Sequence, residues 1–231
     1  MNGINLDYAH EGTEIQIALS DWLASLLPMM WLSERNIQDR YPSPATEKAA
    51  RVIQLSLDVG IPTIAFFCRY PYDYNPNDLD VGAEQCLTDM LYNIIRQLVD
   101  FLPTNFTTSA DLTEQRFAEL ERGFSNLSNA FGLLSDLLVL APSVLLFVID
   151  GIDHLEIKHV ENGVDQLLNV FVQGIMDLQK EKRGVIKILF TTTRDSESLQ
   201  RLAWTYRGYM RRMTVTPMGG RARGWVEIFD A

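Results

Sequence analysis

Positive charge is scarce in this chain: 20 lysines and arginines stand against 30 aspartates and glutamates, a formal net charge of −10 at pH 7. Neutralising a phosphate backbone requires a basic surface, so a general nucleic-acid binder is disfavoured. Cysteine is nearly absent as well. Cys68 and Cys86 are too few for a disulfide framework, and each sits in an apolar segment, which points to buried free thiols in a reducing compartment. Three histidines (His10, His154 and His159) with no close Cys/His cluster disfavour a zinc site. The N-terminus has no basic start followed by an apolar stretch, so no signal peptide is expected. The most apolar window, Leu133 to Ile152, is interrupted by Asp136, Pro142 and Asp150, which argues against a membrane span. Neither repeats, nor low-complexity tracts, nor a G-x-S-x-G nucleophile elbow occur.

What is present suits a globular domain. The 231 residues are 47% hydrophobic and 22% charged, enough apolar surface for a sizeable core. Apolar residues from Ile15 to Leu32 recur at near-helical spacing, with Pro28 as a break, and a proline-punctuated loop follows. A helix is expected from Thr46 to Gly60, then a buried strand over Ile61–Cys68. The stripe Leu87, Met90, Leu91, Ile94, Ile95, Leu98 and Leu102 marks the clearest helix. Two helical patterns between Asp111 and Leu140 separate near Gly123. A strand over Val144–Ile149, a helix over Gly163–Gln179 and a strand over Val185–Thr193 come next. A helix capped by Asp195 or Ser196 and a last strand in "MRRMTVTP" complete the pattern. Apolar strands alternating with amphipathic helices predict an α/β fold with a mainly parallel sheet.

Ligands in such sheets sit beyond the carboxyl ends of the strands, and two polar clusters occupy those ends: "DGIDH" (151 being its glycine) and "TTTRD" (Thr191 to Asp195). Asp150 is placed to hold a magnesium ion directly or through water, with Gly151 turning the chain and Asp153 or Glu156 returning to the same place. An isolated apolar run ending in aspartate more often opens a turn. The second polar strand end shifts the balance. Thr191 to Thr193 offer hydroxyls and Arg194 a guanidinium suited to phosphate. His154 is a candidate base, although a histidine beside a turn is usually packing, and Glu156 with His159 is a weak chelating pair. Aromatic residues Phe66, Phe67, Tyr70, Tyr72 and Tyr74 could stack a base, but the first two belong to a strand. The basic stretch "GGRARG", with Arg211 and Arg212 before it and Arg221 and Arg223 within it, reads as a solvated segment rather than an RNA site.

Four strings in order, "GIPTIAFFCR", "IIRQLVDFLP", "LLFVIDGIDHLE" and "IKILFTTTRDSESL", resemble the nucleotide-binding core of fungal NACHT-type signalling ATPases of the STAND class. The resemblance covers about residues 41–216. It divides the chain into an N-terminal helical segment and linker (1–40), a NACHT-like P-loop NTPase-fold domain (41–216) and a C-terminal tail (217–231). It implies a three-layer α/β sandwich preceded by that helical segment. Asp150 would be the Walker B magnesium ligand and Asp153 the catalytic carboxylate. Thr46, Thr192 and Arg194 would be the nucleotide-binding residues, with Mg and ATP or ADP as cofactors.

The Walker A loop is where the pattern breaks. Its place, "DRYPSPATEKAA", has Pro42 and Pro44 instead of glycines and Ala45 where the lysine belongs; Thr46 alone survives. Prolines remove N–H donors from a phosphate cradle and fix φ, and alanine removes the charge that reaches the phosphates. His154 replaces a second acidic residue after Asp153, and the strand expected before the loop is weakly marked, "MMWLS" being the best candidate. The family's proteins are longer, so the resemblance implies a fragment or a reduced relative. The expectation is a cytoplasmic pseudo-NTPase acting through protein partners, with self-association an option and no membrane. The alternative is a slow Mg-dependent ATPase or GTPase using Asp150 and Asp153.

Overall fold

A computed structural model describes residues 17–34, 42–69, 79–106, 108–118, 120, 127–181 and 183–215. Five strands form one sheet: β1 (Met29–Glu34), β2 (Thr63–Phe67), β3 (Val144–Asp150), β4 (Val185–Thr192) and β5 (Met210–Val215). All neighbours run parallel, in the order β2-β3-β4-β1-β5. The three inner strands are buried along almost their whole length, whereas β2 and β5 are partly exposed, as edges should be.

Helices cover both faces. Leu145, Phe147 and Ile149 of β3 pack with Ile186, Ile188 and Phe190 of β4 against helices α3 (Leu79–Asp100), α5 (Leu127–Val139), α6 (Glu161–Glu181) and α7 (Glu197–Thr205). Leu146, Val148 and Leu189 face the other way, toward α1 (residues 17–24) and α2 (Pro44–Asp58). A short α4 (Glu114–Ala118) precedes α5. The chain moves outward across the sheet once, from β1 to β2 through α2. It returns from β2 to β3, β4 and β5 through helices on the opposite face. One reversal of direction with one change of face is what a single crossover handedness demands. The fold is thus α/β with a parallel sheet, as the alternating pattern predicts, and a P-loop-like three-layer sandwich with a helix ahead of the first strand, as the resemblance implies.

Two boundaries differ from the sequence reading. The apolar stripe over 15–32 is helix only as far as residue 24; past Pro28 the strand candidate "MMWLS" forms β1, which lies second from the edge and is fully buried. Its alternate residues serve opposite faces, Met29 and Trp31 one and Met30 and Leu32 the other, which is a strand's period. The division drawn at residue 41 therefore leaves outside the core a strand that the sheet includes. The tail 217–231, with its basic stretch, and Tyr70, Tyr72 and Tyr74 lie outside the described residues.

The turn from α1 into β1 rests on a buried lysine. Lys187, in the middle of β4 and 5% exposed, donates from Nζ to the carbonyls of Trp22, Ser25 and Leu27 at 2.8, 2.6 and 2.8 Å. An ammonium has three donors, and all three find a carbonyl at the end of α1. The same charge lies over the Trp22 ring, where a helix C-terminus also favours a cation.

Candidate functional site

The site lies where the connections from neighbouring strands leave for opposite faces: β1 leads to α2 on one side, β4 to α7 on the other. Such a reversal opens a crevice at the carboxyl ends of the strands. Register decides which side chains reach it. Asp150 pairs with Thr191, and Thr191 with Leu32, so these residues share a row whose side chains point to the α2 face. Glu34 points the same way, two residues after Leu32.

On that face Asp150 is 5% exposed and accepts two hydroxyls. Thr46 Oγ1 donates to Oδ2 at 2.9 Å, and Thr191 Oγ1 donates to Oδ1. The sequence-derived pair Thr46 and Asp150 is thus brought together across 104 positions of chain. Burial raises the Asp150 carboxyl above its ordinary value of 3.8, and the two hydroxyls oppose that shift. Gly151 then takes a left-handed backbone at φ 77°, and a Cβ there would lie 2.9 Å from the Cys68 carbonyl oxygen. Only glycine fits the turn that delivers the 3₁₀ segment Ile152–Leu155.

Asp153, in that segment, forms a second cluster. Its Oδ2 accepts from Thr193 Oγ1 at 3.0 Å and from the Arg194 backbone N–H at 3.2 Å, while the Arg194 guanidinium donates to Oδ2 and to the Asp153 carbonyl. Its Oδ1 is buried without a hydrogen-bond partner. Arg194 therefore pairs with Asp153, not with its neighbour Asp195, which pairs with Arg212. Thr192 joins neither cluster. Its hydroxyl faces the other side of the sheet and accepts from the Trp31 indole at 2.8 Å.

Glu156 and His159 do not form a chelate. Both Glu156 oxygens are taken by the start of α7: Oε1 by the Ser196 hydroxyl and the Ser198 N–H, Oε2 by the Glu197 N–H at 2.9 Å. Ser196, the actual N-cap, also accepts from Leu199 N–H. Glu156→Ala is expected to cost about 1–2 kcal/mol by orphaning those donors. Urea denaturation measures it, and Glu156→Gln should recover part of the loss. Among the described residues no three His, Cys, Asp or Glu side chains converge in a way that would hold a metal ion.

Sequence reasoning missed Glu34. This residue ends β1, is 4% exposed, and accepts the Ala45 backbone N–H through Oε1. The first turn of α2 is where a P-loop protein presents N–H groups to phosphate, and here each has a protein partner. Pro44 has no N–H. Ala45 donates to Glu34, Thr46 to Ser43 Oγ at 3.1 Å, and Glu47 to the Ser43 carbonyl at 2.9 Å. Ala45, where the resemblance implies a lysine, is fully buried. Burial raises the Glu34 carboxyl above 4.5, its bond to Ala45 opposes this, and the charges of Asp150 and Asp153 add to the rise. Three carboxylates thus share the crevice. A neighbouring cleft of about 220 Å³ is lined by Asp153, Glu156, Glu161, Asp195 and Glu197 against one cation, Arg194. The local field opposes a polyphosphate. No local pattern in "WLSERN" announces Glu34's role, because its partner lies eleven residues away in another element.

Comparison with protein-family models and with curated proteins finds no match to the chain. What the fold and site define is a P-loop-like α/β protein whose helix-α2 terminus is closed by its own carboxylate. No helix among the described residues is long and apolar enough to cross a membrane.

Proposed function

We propose that the chain is a degenerate NACHT-like module of the STAND class, a pseudo-NTPase that works through protein contact in signalling or regulation. The observation that carries this reading is the occupied start of α2: Glu34 accepts from Ala45 where a phosphate oxygen would sit. Binding a nucleotide there requires expelling a buried carboxylate and replacing a lysine that the sequence lacks. Asp150 and Asp153 add negative charge beside the same place, Asp150 held by two threonine hydroxyls and Asp153 by a threonine hydroxyl and Arg194. The hydroxyl–carboxylate frame then serves as the latch between α2 and the sheet. Partners are proteins, recognised through the module's surface, with self-association an option.

A second reading has one observation in its favour. Thr46 and Asp150 keep the hydroxyl–carboxylate pairing that a magnesium ion would need. Under it, these two hold Mg, Asp153 orients water, and Arg194 meets the γ-phosphate. The two readings part on turnover. Phosphate release from Mg-ATP and Mg-GTP is expected to match the buffer blank for wild type and Asp150→Asn alike. A rate that wild type shows and Asp150→Asn loses would establish the second reading.

A further inference from the structure

Three sulfur atoms converge where the end of β2 meets α3. Cys68 directly follows β2, and its backbone N–H donates to the Asp150 carbonyl at 2.7 Å, which fixes it beside the end of β3. Cys86 and Met90 lie one turn apart on α3, so their side chains leave the same helix face. Cys68 Sγ is 3.8 Å from Met90 Sδ, and the Cys68 and Cys86 thiols are close enough to perturb each other. The three residues are 2%, 8% and 0% exposed, and these are the chain's two cysteines.

We infer that Cys68, Cys86 and Met90 form a binding site for a soft monovalent metal ion, Cu(I) being the biological candidate. Thiolate and thioether ligands together select soft ions over zinc, magnesium or calcium. Metal–thiolate bonds of about 2.3 Å would hold the sulfurs of a three-coordinate ion about 4 Å apart. The 3.8 Å between Cys68 and Met90 already meets that spacing. The two thiols give up their protons to solvent when the ion enters, so two thiolates and one Cu(I) leave a net charge of −1 and no change of oxidation state. The bound ion would clip β2 to α3, beside the strand end that carries Asp150.

The test is anaerobic titration of the reduced full chain with Cu(I) against a chromogenic Cu(I) chelator, with Ag(I) as a redox-inert second probe. The expected result is one equivalent of either ion retained per chain, with a raised unfolding temperature. Met90→Leu, which preserves volume and both thiols, should weaken retention by roughly ten- to a hundredfold, the cost typical of losing a supporting group at a metal site. Cys86→Ser should abolish it. Equal retention in Met90→Leu would overturn the three-sulfur site, as would wild type yielding its Cu(I) to the chelator as readily as Cys86→Ser. Equal retention of Zn(II) would overturn the choice of a soft monovalent ion.

Discussion

Lys187→Met is expected to destabilise the protein by about 2–4 kcal/mol, the largest effect of any single change considered. Methionine keeps the length and much of the volume of the lysine stem, so the loss is that of the ammonium and its three bonds. The buried carbonyl of Trp22 would then lack a donor, whereas those of Ser25 and Leu27 are part-buried and can turn toward water. An orphaned buried acceptor costs about 1–3 kcal/mol, and the two lost charge-assisted bonds add to it. Urea denaturation followed by far-ultraviolet circular dichroism measures it. A loss below about 1 kcal/mol would mean that water replaces the ammonium at no cost, contrary to the burial of this residue.

Glu34 is the second case, and its substitutions should act in opposite directions. Glu34→Ala leaves the Ala45 N–H of α2 without its acceptor and is expected to cost about 2 kcal/mol. Glu34→Gln keeps an acceptor oxygen and removes a charge that lies near Asp150 and Asp153, so it should be neutral or stabilising at pH 7. The pH dependence follows from the raised carboxyls of Glu34 and Asp150. A group whose folded pKa is raised holds its proton more tightly in the native state than in the unfolded chain. Its contribution is fully present below the unfolded values, 4.5 and 3.8, and is lost as pH rises through the higher folded ones. These two groups therefore make wild type lose stability on the alkaline side of the ordinary carboxylate range. Urea midpoints across that range should fall with pH in wild type and flatten in Glu34→Gln and in Asp150→Asn. Parallel profiles in all three proteins would contradict the burial of these charges.

Much of the fold is legible in local pattern because its inner strands are unbroken apolar runs and its helices carry single stripes. Leu145 to Ile149 and the stripe from Leu87 to Leu98 need no tertiary information. Thr46 and Asp150 were each singled out from the sequence, but their direct hydrogen bond is a finding of the structure. β1 was harder to read, since "MMWLSE" continues the apolar spacing of the preceding helix and only the alternation of faces distinguishes it. Which threonine of "TTTR" meets Asp150 depends on strand register, and register puts Thr191 there while turning Thr192 toward Trp31. Glu34 and Lys187 were illegible for one shared reason. A charged residue ending or interrupting an apolar run looks like a strand boundary or an exposed edge. Its actual partners here are backbone groups of another element, and nothing in local spacing encodes them.

Glu34, a carboxylate of the chain itself, takes the first N–H of α2, the group that a bound phosphate would need. The most direct measurement is thermal unfolding of the purified chain with and without millimolar Mg-ATP and Mg-ADP. A ligand present at 100 times its dissociation constant would stabilise the native state by about 2.7 kcal/mol, a shift of several degrees. With the start of α2 closed in this way, the midpoint should be unchanged by either nucleotide. A shift of that size, lost in Asp150→Asn, would contradict it and restore a nucleotide site to this fold.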